Sequence, residues 1–153
     1  MDRPQQYRFH QGDRVLPFEA AEYEARLSTL RATMAAAGVE ACVFTSMHNV
    51  AYYSGFLYCA FGRPYALVVT PTESVTFSAG IDAAQPWRRC HGDNITYTDW
   101  QRNNYWRAIL SVTGPGKVFL QSLPFSRLAD RIVAASRMYG RQGETSRGGS
   151  GAL

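Results

Sequence analysis

Residues 41–79 read ACVFTSMHNVAYYSGFLYCAFGRPYALVVTPTESVTFSA, and this stretch decides the fold class. Its first run, ACVFTS (41–46), is apolar and contains β-branched and aromatic residues, which predicts a buried strand. A short helix is predicted over 48–55 (HNVAYYSG), with a glycine at its end. The runs YALVVT (65–70) and SVTFSA (74–79) flank a Pro-Thr-Glu turn, which predicts an antiparallel hairpin.

Both flanks of this stretch continue an alternation of helices and strands. Upstream, residues 18–38 place apolar side chains at steps of four and three, the spacing of one helical face, and Gly38 ends the helix. That face consists of Tyr23, Leu27, Leu30, Met34 and Ala37. Downstream, the pattern predicts a helix over 81–89, a strand over 94–100, a helix over 103–112, a strand over 117–121 and a last helix over 126–139. The alternation predicts an α/β layered domain with a mixed sheet of four to six strands.

Length and composition bound the class of protein. The chain has 153 residues, 46% of them hydrophobic, which suits one globular domain. It contains no apolar run long enough to span a bilayer, and its first residues, MDRPQQYRFHQGDR, have no apolar core of a signal peptide behind them. We therefore expect a cytoplasmic protein that makes no membrane contact.

The distribution of charge and of apolar residues predicts three parts of the chain. These are an N-terminal arm (1–17), the folded domain (18–139) and a disordered tail (140–153, GRQGETSRGGSGAL). From residue 118 onward, five arginines face Asp130 and Glu144, a balance of +3 out of the net +4. The main body is therefore nearly neutral. Its arginines and aromatic residues have acidic neighbours and no lysine stripe, so we expect no nucleic-acid partner.

Common catalytic and metal-binding motifs are absent from the sequence. It has no Walker A loop, no GxGxxG, no GxSxG and no HExxH, and its three cysteines show no CxxC spacing. Cys42 lies in an apolar run, so we expect a buried, unreactive thiol rather than a nucleophile that uses His48 as its base. The histidines at 10, 48 and 91 are far apart. We expect no metal and no catalytic residue in this chain.

The most informative residue is Arg63, in the segment FGRPYALV. Pro64 stiffens the backbone and favours an extended conformation at Arg63, which presents the guanidinium as a fork for a carboxylate or a phosphate. Alternatively, Arg63 forms an internal ion pair with Asp82 or Asp99. A second basic segment, QPWRR (85–89), has the same two interpretations.

Two long strings carry a family resemblance: FTSMHNVAYYSGFLYCAFGRPYALVVT (44–70) and AGIDAAQPWRRCHGDNITYTDWQRNNY (79–105). Over about 18–110, the chain resembles the N-terminal domains of the creatinase, prolidase and aminopeptidase P family. The YYS and FGRPYALV portions resemble the creatinase branch more than the peptidases. The resemblance implies a ribonuclease H-like layered α/β fold with a mixed sheet. After about residue 117, the sequence departs from the family pattern.

The resemblance also implies a function. Full-length relatives of this branch hydrolyse creatine to sarcosine and urea without a metal or other cofactor, using a C-terminal pita-bread domain that this chain does not reach. In their homodimers, the N-terminal domain of one subunit reaches the active site of the other, and the positions that match Phe61 and Arg63 help to bind creatine. We therefore expect a substrate-clamping and dimerisation domain, inactive alone, with Arg63 accessible and unpaired.

Two alternatives remain open. The first alternative to the creatinase-type domain is a non-catalytic assembly module that docks on a full-length family member through its aromatic surface and Arg88 and Arg89. The second is the N-terminal domain of an Xaa-Pro peptidase-type relative.

Overall fold

The computed structural model describes residues 4–57, 63–101, 103–114, 116 and 118–121. The strands are β1 (Gln6–Arg8), β2 (Ala41–Phe44), β3 (Ala66–Val69), β4 (Ser74–Ala79), β5 (Asp93–Tyr97) and β6 (Val118–Gln121). The helices are α1 (Ala20–Ala37), α2 (Met47–Ser54), α3 (Ala84–Arg89) and α4 (Asn104–Thr113), with a 3₁₀ turn at Gly80–Asp82 before α3. The helix predicted over 126–139 and the tail 140–153 lie outside the described residues.

Helix α1 follows the predicted periodicity. Tyr23, Leu27 and Met34 are buried on one face, as the steps of four and three require. Gly38 ends the helix with φ 62°, and its backbone N–H bonds to carbonyls of the last turn. The predicted helix and its end are confirmed, but the buried face is shorter than predicted, because Leu30 is half-buried and Ala37 is exposed.

Helix α2 is closed at both ends by local sequence. The Ser46 side chain accepts a hydrogen bond from the Asn49 N–H, which caps the start. Gly55 ends the helix with φ 80°. A Cβ at Gly55 would lie 2.6 Å from the Tyr23 hydroxyl, so this position needs glycine both for its backbone conformation and for the close approach of α1.

Within the described residues, six strands form one mixed sheet in the order β1-β5-β4-β3-β2-β6. Strands β2, β3 and β4 are successive antiparallel neighbours, and Val69 lies opposite Ser74 in the predicted hairpin. Strand β5 runs parallel to β4, and β6 runs parallel to β2. The expected α/β class with a mixed sheet of four to six strands is confirmed.

Helices cover both faces of the sheet, so the central strands are apolar on both sides. One face packs against α4 and includes Ala41, Val43, Val68, Phe77, Tyr97, Tyr105 and Ile109. The other face packs against α1 and α2 and includes Leu27, Met34, Cys42, Phe44, Val50, Leu67 and Val69. Alternate residues of β2 point to opposite cores, which explains why its sequence reads as one continuous apolar run.

Strand β1 is not predicted by the sequence pattern. Gln6–Arg8 lies in the polar arm and pairs antiparallel with β5, with Gln6 opposite Tyr97. Further along the arm, the Val15 N–H donates to the Arg88 carbonyl at 2.7 Å. A strand at the sheet edge buries little side-chain surface, so it carries no apolar periodicity by which to recognise it.

No helix in the described ranges combines the length and the apolar character needed to cross a membrane.

Candidate functional site

Arg63 lies in the segment that leads into β3, and 45% of its side chain is exposed. Its Nη1 contacts Oδ2 of Asp99, whose side chain is 32% exposed. The expectation of an unpaired Arg63 is therefore wrong, because a carboxylate of the same chain lies within reach of the guanidinium. The side chain is nevertheless accessible, as expected. Phe61 lies within 58–62, outside the described residues, as does Cys59.

The exposure of this pair decides its energetic role. An ion pair open to solvent contributes about 0.2 to 1 kcal/mol, whereas breaking a buried pair costs about 3 to 5 kcal/mol. The Arg63–Asp99 pair belongs to the first kind. Arg63 is thus paired without being essential to the fold.

Two tyrosine hydroxyls anchor the backbone that follows Arg63. Tyr97, the last residue of β5, donates to the Pro64 carbonyl at 2.7 Å. Tyr105, in the first turn of α4, donates to the Tyr65 carbonyl at 3.2 Å. The two rings meet edge to face at 5.4 Å within the core. The guanidinium therefore projects from a backbone fixed by the core.

The protonation state of Tyr105 suits this donor role. Burial, with smaller contributions from the hydroxyls of Tyr97 and Tyr65, raises the pKa of Tyr105 far above its ordinary value. The phenol therefore keeps its proton across the physiological pH range, and its O–H can donate a hydrogen bond to the Tyr65 carbonyl.

Asp99 is also held in place, by a turn that follows β5. The Thr98 N–H donates to the Gln5 carbonyl at 2.9 Å, and the Trp100 indole N–H donates to the Pro4 carbonyl at 3.0 Å. The Asn104 amide donates to the Thr98 carbonyl at 2.9 Å. Residues on both sides of Asp99 are thus fixed by the N-terminal segment and by α4.

A small space next to Arg63 has no room for a water molecule. Its lining consists of Phe56, Arg63, Pro64, Tyr65, Ser78, Ala79 and Asp82. A ligand of Arg63 must therefore approach from the solvent side. The described residues offer one charged wall of a site rather than an enclosed pocket.

The second basic segment has a different environment. The Trp87 ring lies between the His10 ring, at 4.1 Å, and the Arg14 guanidinium, at 3.6 Å. Its indole N–H donates to the Gly12 carbonyl at 3.3 Å. Trp87 therefore binds the N-terminal arm, while Arg88 and Arg89 are exposed at the end of α3.

An open groove of about 570 Å³ runs beside these arginines. Within the described part of the chain, no carboxylate pairs with Arg88 or Arg89. The groove is lined by Val15, Leu16, Pro17, Gly55, Leu57, Gln85, Arg88 and Arg89. It combines apolar side chains with two cations.

The described cysteines lack the exposure and the low pKa that a nucleophilic thiol needs. Cys42 and Cys90 are free and buried. Burial raises the pKa of both thiols, which disfavours the nucleophilic thiolate. The prediction that Cys42 is buried is confirmed.

Two of the histidines are bound to carboxylates. His10 Nε2 lies 2.5 Å from Asp93, and His91 Nε2 lies 2.6 Å from Glu24. The first contact joins the arm to β5, and the second joins α1 to the loop after α3. Both therefore connect elements of the fold.

Sequence reasoning singled out Arg63 and named Asp99 as one possible partner, but it did not assign the anchoring role of Tyr97 and Tyr105. The strand alternation predicted over 94–100 places Tyr97 and Asp99 on the same side of an extended segment. That prediction is wrong at its end, because β5 stops at Tyr97 and Asp99 lies in the turn that follows. The alternation does not reveal which backbone lies opposite that side.

Comparison with known proteins gives two findings at the level of sequence. Residues 26–120 match the family model described as "Creatinase/Prolidase N-terminal domain". A creatinase from Bacillus sp. (strain B-0618) is 51% identical over 106 residues, which are 69% of this chain and 26% of that protein. This chain thus spans about a quarter of the length of that curated relative.

Solved structures share the fold at low sequence identity. One is the N-terminal domain of an X-Pro dipeptidase from Streptococcus pyogenes, with a TM-score of 0.54 and 20% identity over 63% of this chain and 76% of that chain. Another is a dipeptidase from Mycobacterium ulcerans, with a TM-score of 0.63 and 18% identity over 76% of this chain and 34% of that chain. The family model extends to residue 120 and so includes most of β6, further than the expected departure after about residue 117.

Proposed function

Because the chain belongs to the creatinase/prolidase N-terminal domain family, as its sequence resemblance predicts, we propose that it is the substrate-clamping and dimerisation domain of a creatinase-type amidinohydrolase. The observation that carries this proposal is the 51% identity to a creatinase over 106 residues, against 20% or less to the dipeptidases compared above. It favours the creatinase branch over an Xaa-Pro peptidase-type relative.

In this role, Arg63 binds the carboxylate of creatine. A guanidinium holds a carboxylate through two parallel charge-assisted hydrogen bonds, which fix the orientation of the ligand as well as its position. The side chain is half exposed and projects from a backbone anchored by Tyr97 and Tyr105, so it suits a ligand that arrives from outside the domain. The family resemblance also assigns Phe61, outside the described residues, to binding of the ligand.

In this proposal, the catalytic domain of another subunit hydrolyses creatine. In the part of the chain that the structure describes, the free thiols are buried, and His10 and His91 are bound to carboxylates. We expect the chain alone to release no urea from creatine. A cytoplasmic location forms part of the same proposal.

A chimera tests the clamping role. Residues 18–121 of this chain replace the matching segment of the Bacillus creatinase, and urea release is measured over a range of creatine concentrations. Loss of a charge-assisted fork in Arg63→Gln is expected to raise KM about ten- to hundredfold. Arg31→Gln is the matched control, because Arg31 donates to the Thr70 carbonyl on another part of the surface. A KM within twofold of the parent chimera for Arg63→Gln would contradict the proposal.

The groove beside α3 supports a second candidate function, an assembly module. Val15 and Leu57, 71% and 63% exposed, line it together with the cations Arg88 and Arg89. That combination fits an apolar and acidic surface on the catalytic domain of a full-length family member. Co-expression with the Bacillus creatinase is expected to give co-purification that the double change Arg88→Glu and Arg89→Glu abolishes. Failure of the parent chain to co-purify would remove this candidate and leave the first intact.

A further inference from the structure

Asp99 contacts the same Arg63 guanidinium that, in the proposed function, binds the carboxylate of the ligand. We propose that Asp99 is an internal substitute for the ligand carboxylate: it holds Arg63 in the free domain and gives it up to a small molecule that carries a carboxylate. This inference rests on the proposed function and adds a residue that regulates the same site.

The geometry of the pair permits exchange. The contact joins Nη1 of Arg63 to Oδ2 of Asp99, and both side chains are partly open to solvent. Water can therefore solvate each partner as the pair separates, and the pair contributes little to stability. A ligand carboxylate that engages two guanidinium nitrogens at once replaces this contact with a stronger one.

The surroundings confine the exchange to side chains. The backbone after Arg63 is held by Tyr97 and Tyr105, and the turn that carries Asp99 is held by the hydrogen bonds of Thr98 and Trp100. Both backbones therefore keep their places when the ion pair opens. Binding of a ligand then costs the free energy of the broken ion pair, but no free energy for rearranging a loop. The binding site is therefore preorganised.

Such a substitute has a consequence for affinity. A free guanidinium is open to any anion, whereas a paired one must first be released from Asp99. Asp99 therefore lowers the affinity of Arg63 for every carboxylate by the strength of one exposed ion pair. That strength corresponds to about a 1.4- to 5-fold change in the dissociation constant.

The test is an NMR titration of the ¹⁵N-labelled chain with creatine, following the Arg63 Nε–Hε signal and backbone amides. Asp99→Asn is expected to bind creatine about 1.4- to 5-fold more tightly than the parent chain. Glu22→Gln is the matched control, because it removes the same charge from an exposed side chain, Glu22, that pairs with Arg26 on α1. Methylguanidine, which lacks the carboxylate, is expected to show no such gain.

The outcomes separate the two proposals. Equal or weaker creatine binding by Asp99→Asn, while Arg63→Gln loses binding, would overturn the role of Asp99 and leave the clamping role of Arg63. Creatine binding by Arg63→Gln equal to that of the parent would overturn both. No response of Arg63 to creatine in either chain would overturn the exchange with Asp99 and leave the clamping role, which the chimera tests. Asp99→Ser is measured alongside as a second variant without the carboxylate, and the amide spectra of all variants report that the fold is kept.

Discussion

Tyr105→Phe tests whether the core holds the segment that presents Arg63. The change removes one oxygen and keeps the ring packed against Tyr97. The carbonyl of Tyr65, a residue only 8% exposed, loses the hydroxyl that donates to it at 3.2 Å. A hydrogen bond of this kind contributes about 0.5 to 1.5 kcal/mol, so we expect Tyr105→Phe to lower the free energy of unfolding by about 1 kcal/mol.

Urea denaturation followed by circular dichroism measures this loss as a change in the free energy of unfolding. The midpoint is expected to fall while the slope with urea stays constant, because the surface exposed on unfolding hardly changes. Tyr52→Phe, at a side chain 51% exposed, is the control and is expected to change stability by less than about 0.5 kcal/mol. A Tyr105→Phe loss no larger than that of the control would refute the anchoring role.

The same variant carries a prediction about pH. The pKa of Tyr105 is raised in the folded chain, so above about pH 10 the unfolded chain loses a phenol proton that the folded chain keeps. The contribution of Tyr105 to the free energy of unfolding is complete below that pH. Above it, this contribution falls by about 1.4 kcal/mol for each further pH unit. Tyr105→Phe is expected to show a shallower decline between about pH 10 and 11.5 than the parent chain. Parallel declines would show that Tyr105 is not protected from ionisation.

Two further predictions concern the fold. Gly55→Ala is expected to cost about 2 to 4 kcal/mol, because left-handed strain adds to overpacking against the hydroxyl 2.6 Å away. Gly38→Ala, which meets no atom within 4 Å, is expected to cost about 1 to 2 kcal/mol by thermal or urea denaturation; equal losses would contradict the packing argument. In a Cys59→Ser background, the buried thiols of Cys42 and Cys90 are expected to react with a disulfide reagent only after unfolding, and rapid reaction of the native chain would show that they are exposed.

The elements that the sequence predicts are those with a strong local period. Helix α1 repeats apolar residues along one face, and the β3–β4 hairpin joins two apolar runs through a short turn. Strand β1 has no such signal, because an edge strand of polar residues is specified by its partner β5, about 90 residues away. Pairing over that distance leaves no trace in a local pattern.

The candidate site likewise has a feature that the sequence predicts and others that it does not. Arg63 is recognisable because a lone cation before Pro64 stands among aromatic residues. Its pairing with Asp99 was one of two interpretations, and the unpaired state expected from the family resemblance was wrong. The fold places the Asp99 carboxylate within reach of the partly exposed guanidinium. The anchors at Tyr97 and Tyr105 depend on how β5 and α4 cross the segment after Arg63, which only the assembled structure reveals.

We propose that Arg63 acts in the active site of another subunit, and subunit complementation tests this role most directly. One chimeric subunit carries Arg63→Gln with an intact catalytic domain, and the other carries Arg63 with a catalytic domain of the Bacillus creatinase that a substitution has inactivated. Each is expected to release urea poorly from creatine at a concentration near the parent KM. Mixed dimers are expected to recover a KM within about twofold of the parent chimera, with kcat reduced in proportion to the intact sites. A mixture that keeps the raised KM of the Arg63→Gln subunit would contradict the claim.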